Sequence, residues 1–245
     1  MAECAFCDHT GKLTAEHITS QWLNSLFKGP ARAWFGVDEA EGKPFRTDGV
    51  DFKARVVCEN CNHTWMSDIE GESKRVVTPL ITGERQVAIT PEVARSIAVY
   101  AFKTAVIIDH ARRDRTPFFS RRIRHAFRRS RFIPNFVYMW MSPFAEHRDV
   151  LRFKSVYNEG TAPTGHYLNM YTCTCAFGHF AFQVLAFYQS GNATLQSNER
   201  FNQIAVPFWP QLAPNYVWPR VPMLTADSDF ADFAMRWRNI TIFND

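Results

Sequence analysis

The chain reads as an α+β protein in three zones, and three observations carry that reading. Two Cys-x2-Cys pairs stand in residues 1–74, a helical and increasingly basic run fills 75–132, and aromatic, strand-like segments fill 133–245. The composition fits a folded domain: of 245 residues, 46% are apolar, 21% charged and 15% aromatic, too many aromatics for a disordered chain. A chain of this length buries most of its apolar surface without help from disulfides.

The N-terminal zone holds Cys4-x2-Cys7 and Cys58-x2-Cys61. Each pair places two thiolates on one side of a tight turn. Two such knuckles give four soft ligands in a tetrahedron, the arrangement zinc prefers. An iron–sulfur cluster or a redox pair is the competing explanation. Redox Cys-x2-Cys pairs usually follow a strand in a βαβ unit. A four-cysteine site leaves no open coordination position, so a zinc ion there supports folding.

In the middle zone, Thr90-Pro91-Glu92 is a helix start, with a capping hydroxyl, proline at the first helical position and an acid at the positive end of the dipole. The helix is expected to run to about Ala111. Thr116-Pro117 marks a second start, with Phe119, Ile123 and Phe127 as its apolar stripe and Pro134 as its end. Residues 103–131 carry Lys103 and nine arginines against Asp109 and Asp114. That segment is therefore +8, and with a chain total of +4 the remainder is −4. Guanidinium groups on helix faces suit phosphate oxygens, so Arg121, Arg122, Arg124, Arg128, Arg129 and Arg131 are the candidate nucleic-acid contacts. They engage the backbone rather than base edges, which implies strong salt dependence.

The last zone is expected to form strands at Phe136–Met141, Val150–Tyr157, Tyr167–Cys173, Phe180–Tyr188 and Phe201–Phe208, followed by a helix over Asp227–Arg238. Cys173 and Cys175, two apart on a strand, point to one face and read as buried thiols. The start of the sequence lacks the basic and apolar regions of a secretory signal, and no run of about 20 apolar residues spans a membrane. A cytoplasmic protein is the expectation, with no membrane partner.

Between the knuckles lies Glu16-His17, and directly after the second comes Asn62-His63. The order Cys-x2-Cys, Glu-His, Cys-x2-Cys-Asn resembles the HNH endonuclease superfamily with its ββα-metal fold, in the branch braced by a four-cysteine zinc. The resemblance covers roughly residues 4–70. It implies that His17 is the general base, that Glu16 and Asn62 hold a catalytic Mg²⁺ or Mn²⁺, and that Cys4, Cys7, Cys58 and Cys61 hold structural zinc. The implied activity is phosphodiester hydrolysis in DNA, with RNA as a further substrate class and a homodimer as one possible assembly. The sequence departs from the family in two places. No asparagine stands in the segment 47–52, and Trp65 and Met66 occupy the turn after Asn62, leaving His63 as the possible extra metal ligand. The competing function is a non-catalytic zinc-finger protein that binds nucleic acid with the same knuckles and basic helix.

Overall fold

A computed structural model describes residues 2–18, 20–27, 32–37, 45–48, 53–83, 86–111, 115–144, 150–161, 167–189, 193–196, 203–210, 215–222, 224–225, 227–235 and 241–244. It is a mixed helix-and-sheet structure. Strand β1 (Thr14–His17) pairs antiparallel with β4 (Lys53–Val57), with partners Thr14↔Val57, Glu16↔Ala54 and His17↔Lys53 and a register shift between Thr14 and Glu16. The chain between them makes a short 3-10 turn at Gln21–Ser25 and strands β2 (Arg32–Val37) and β3 (Phe45–Asp48). After β4 comes one helical turn, α1 (Glu59–Cys61). A wide π-helical turn over Asn62–Met66 follows, and then α2 (Ser67–Thr82). Two antiparallel strands followed by a helix thus surround the cysteines.

Helix α2 ends at Gly83, whose φ of 63° lets its N–H reach Pro79 O at 3.1 Å. A Cβ at Gly83 would lie 2.8 Å from the His179 ring, so glycine also permits the close approach of the turn beyond. That turn is anchored by His179 N–H donating to Ile81 O at 2.9 Å.

Strand β5 (Val87–Ile89) leads into α3 (Pro91–Ala111). Thr90 caps α3, its Oγ1 accepting from Val93 N–H at 3.3 Å. Most of α3 is buried, which explains why its sequence is apolar almost all round. The next helix, α4, covers Arg121–Ser130 rather than starting at Thr116-Pro117. The cause is Asp109, whose carboxylate accepts from the Phe118 and Phe119 N–H groups at 3.0 Å each. Those residues are held as a buried loop against the end of α3, and Ser120 becomes the N-cap position.

The remaining strands are β6 (Val137–Pro143), β7 (Val150–Thr161), β8 (Tyr167–Phe177), β9 (Phe180–Gln189), β10 (Ala193–Gln196), β11 (Val206–Trp209) and β12 (Tyr216–Trp218). Helix α5 (Asp227–Met235) and β13 (Thr241–Asn244) close the chain. A seven-stranded sheet runs in the order β11-β6-β9-β8-β7-β2-β3, while β5 pairs with β12 and β10 with β13. All neighbours in the large sheet are antiparallel except β2 and β7, which run parallel from Arg32↔Val150 to Val37↔Ser155.

Strand alternation separates two cores. Tyr171, Cys173, Cys175 and Phe177 of β8, with Phe180, Phe182 and Val184 of β9, face the core shared with α3 and the cysteine module. Tyr171 Oη donates to the Ala105 carbonyl at 3.0 Å across that interface. Met170, Ala176, Ala181, Leu185 and Phe187 face the other way, where Phe230 and Phe233 of α5 cover them. The zone boundary at 74/75 falls inside α2, and β2 and β3 of the first zone belong to the large sheet. Packing therefore joins the zones that composition separates. No helix among the described residues is long and apolar enough to cross a membrane.

Candidate metal centre and catalytic site

The first knuckle is a tight turn closed by Cys4 N–H to His9 O at 2.9 Å and tied to β4 by Ala5 N–H to Val56 O at 2.8 Å. The second begins where β4 ends. Cys58 is extended (φ −80°, ψ 161°), its N–H donates to Cys4 Sγ at 3.3 Å, and its carbonyl accepts from Asn62 N–H at 3.0 Å. The four sulfurs of Cys4, Cys7, Cys58 and Cys61 all lie within 4.8 Å of one another and all four residues are buried. Cys7 and Cys58 Sγ are 3.6 Å apart. A tetrahedral zinc with bonds of about 2.3 Å sets its sulfurs roughly 3.8 Å apart, so the cluster has the size and ligand chemistry of a zinc site. Among the described residues it is the one group of three or more His, Cys, Asp or Glu with metal-binding geometry.

The cluster's protons are unevenly held. Hydrogen bonding from Cys61, joined by the Phe6 and Cys58 N–H groups, pushes the Cys4 thiol down to about 4 against the cost of burial. Burial pushes Cys7 up, and the shared proton with Cys4 pushes Cys61 up. Metal ligation requires thiolates, so a metal ion bound by the four cysteines would displace their protons.

Asn62 follows the last cysteine. Its Nδ2 donates to Thr14 Oγ1 at 3.3 Å, and Thr14 Oγ1 donates to Val57 O at 3.0 Å. This chain of bonds ties the helix start to β1, the strand that carries Glu16 and His17. The backbone of Glu16 and His17 is placed by pairing with Ala54 and Lys53, while their side chains lie outside the described residues. His63 is exposed, its Nδ1 4.0 Å from Glu59 Oε1. Trp65 packs edge-on against Phe6 at 5.0 Å and Phe127 at 5.7 Å, so the residue one turn after Asn62 is core. Segment 49–52, where the family's middle asparagine would fall, lies outside the described residues.

The six candidate arginines divide by environment. Arg124 departs from the expectation for a phosphate contact. It is buried, with Nε donating to Ala5 O at 2.7 Å and Nη1 to Phe119 O. Arg121 Nη2 pairs with Asp8 Oδ1 at 2.5 Å, and Arg131 Nη1 with Glu72 Oε2 at 2.5 Å. Arg122 and Arg129 are exposed, and Arg128, one turn after the buried Arg124, is half-buried. Lys103, also counted in the basic run, is fully buried against Glu70 Oε1 at 2.5 Å.

Two titratable groups at the end of α3 have environments that the sequence did not reveal. Burial raises Asp109 against the bonds from Phe119 and Phe118 N–H. Burial, then the Arg124 charge, pushes His110 down to about 4. Both end the apolar helix α3, and a polar pair there was the available signal.

Comparison with known protein families, curated proteins and solved structures finds no match to this chain.

Proposed function

We propose that the protein is a metal-dependent HNH-type endonuclease that hydrolyses phosphodiester bonds in DNA. The observation that carries this reading is the bond from Asn62 Nδ2 to Thr14 Oγ1 beside the four-cysteine cluster. It brings the helix residue assigned to metal binding next to the strand that bears Glu16-His17. A solely structural zinc module has no need of that approach.

His17 accepts a proton from the attacking water, a role that an ordinary imidazole can fill near neutral pH. Glu16 and Asn62 are the assigned ligands of a hard divalent cation. With Nδ2 committed to Thr14, Asn62 offers its carbonyl oxygen for that role. When bound, such an ion neutralises charge on the phosphate and the leaving oxygen. The four cysteines hold zinc and keep β1, β4 and the helix start in register. Arg122, Arg128 and Arg129 grip the substrate backbone.

The test is cleavage of supercoiled plasmid in Mg²⁺ or Mn²⁺ by wild type, His17→Ala and Glu16→Gln. The expected loss in each variant is at least ~100-fold, the ordinary contribution of a general base. Undiminished cleavage by His17→Ala would remove His17 as the base. A wild type that binds DNA or RNA but cuts neither is a zinc-finger binding protein instead.

A further inference from the structure

Helix α4 rests on the first cysteine knuckle. Arg124 Nε donates to Ala5 O at 2.7 Å, Arg121 reaches Asp8 Oδ1 at 2.5 Å and Glu3 Oε2 at 3.9 Å, and Phe127 meets Phe6 with ring centroids 6.4 Å apart. Ala5 and Phe6 lie between the ligands Cys4 and Cys7, and Asp8 follows directly. Each of these contacts lands on the metal-binding turn or its edge.

Arg124 is 8% exposed. A guanidinium that deep needs negative charge nearby, because desolvating a lone cation costs several kcal/mol. Its hydrogen bonds to Ala5 O and Phe119 O go to neutral carbonyls. The negative groups that favour its charge are Asp109, Cys4 and Glu3. Asp109 is the first of these, but its charge is shared with Arg115, and Glu3 is exposed. Four thiolates around a divalent ion retain two negative charges, buried beside this arginine.

We propose that Arg124 is the counter-charge of the four-thiolate metal cluster, and that metal in the cluster thereby holds α4 against the knuckle. Arg124 is a positioning residue in this arrangement. It presents no charge to a ligand, but it fixes the helix that carries Arg122, Arg128 and Arg129. Loss of zinc by chelation releases α4. The coupling rests on the zinc site alone, and only its consequence for nucleic-acid binding rests on the nuclease reading.

The experiment uses the full zinc-loaded chain and no nucleic acid, so its outcome is independent of that reading. Zinc affinity is measured by competition with a chromophoric chelator. Arg124→Gln is expected to weaken it about 10- to 100-fold, as loss of a group supporting metal ligands does, while Arg122→Ala on the outer side of α4 leaves it unchanged. Hydrogen exchange of wild type then follows residues 121–130 before and after zinc removal. Faster exchange there, with β8 and β9 still protected, is the expected result. Unchanged zinc affinity in Arg124→Gln, or an α4 that stays protected once zinc is gone, overturns the proposal. The exchange measurement needs no variant and decides the matter if Arg124→Gln does not fold.

Discussion

Asn62 Nδ2 donates to Thr14 Oγ1 across 3.3 Å, so the first residue after the four-cysteine cluster is tied to the first residue of β1. Thr14 in turn donates to Val57 O at 3.0 Å, which fixes its hydroxyl between helix and strand. Thr14→Val keeps the shape and removes both bonds. Loss of one such bond costs about 1 kcal/mol of stability, yet a displacement near 1 Å at a reacting centre can cost ~100-fold in rate. Cleavage is expected to fall about 10- to 100-fold with zinc content unchanged, and Thr14→Ser to restore it. Full activity in Thr14→Val would show that the bond does not position Asn62.

Cys58 closes β4, donates its N–H to Cys4 Sγ and starts the helix at Asn62, so one residue joins three parts of the module. Cys58→Ser is expected to lose bound zinc and to melt the β1–β4 module well below the wild type. The free energy of assembling a structural zinc site is folding free energy. Zinc content by atomic absorption and a thermal melt check this together. A variant with full metal content and an unchanged melt would exclude the four-cysteine site.

Arg129 is exposed and Arg128 half-buried on α4, and neither forms an ion pair among the described residues, unlike Arg121 and Arg131. The double change to alanine is expected to weaken DNA binding. It should also reduce the slope of log affinity against log salt by about 2, close to one for each phosphate no longer neutralised. A salt titration by fluorescence anisotropy reads the slope directly. The same slope in wild type and double variant would place the DNA on another surface.

Legibility follows the range of the interaction. The knuckles, the Thr90 cap and the shared face of Cys173 and Cys175 depend on neighbours within a few residues. They can be read from spacing alone. The pairing of β2 with β7 joins Arg32 to Val150, and no local pattern announces a parallel pair of that separation. The arginines show the same divide. The helical stripe places Phe127 in the core, but nothing in α4 itself reveals that Ala5 O is waiting for Arg124. The Glu16-His17 pair is legible because the cysteines flank it, while the tie between its strand and Asn62 depends on Thr14, a residue without any motif.

Glu70 and Lys103 form a pair between α2 and α3 in which the lysine is fully buried. Part of the basic run is thus internal and unavailable to phosphate. Glu70→Gln removes the carboxylate that faces the buried Lys103 ammonium, and a cost of about 2–4 kcal/mol is expected, toward the lower part of the range for breaking a buried pair because Glu70 is only half-buried. Urea denaturation of the zinc-loaded protein measures it. Adding Lys103→Met should recover much of the loss, since the buried charge is then removed together with the carboxylate. A Glu70→Gln protein as stable as wild type would show that the pair contributes nothing to the α2–α3 interface.

His110 links acid sensitivity to the α3–α4 junction. Burial, assisted by the Arg124 charge, lowers its imidazole from an ordinary 6.5 to about 4 in the folded protein. Between those values the unfolded chain binds a proton that the folded chain refuses, so stability rises with pH across the window. The contribution is complete above the unfolded value and is lost as pH falls toward the folded one. Partial solvent exposure limits the effect to the order of 1–2 kcal/mol. Urea denaturation of zinc-loaded wild type and His110→Gln at about pH 7, 6 and 5 isolates it, because Asp109 and the cysteines titrate in both proteins. The wild type should lose stability relative to the variant as the pH falls. Parallel profiles would mean that the imidazole stays protonatable in the fold and that its burial near Arg124 carries no energetic weight.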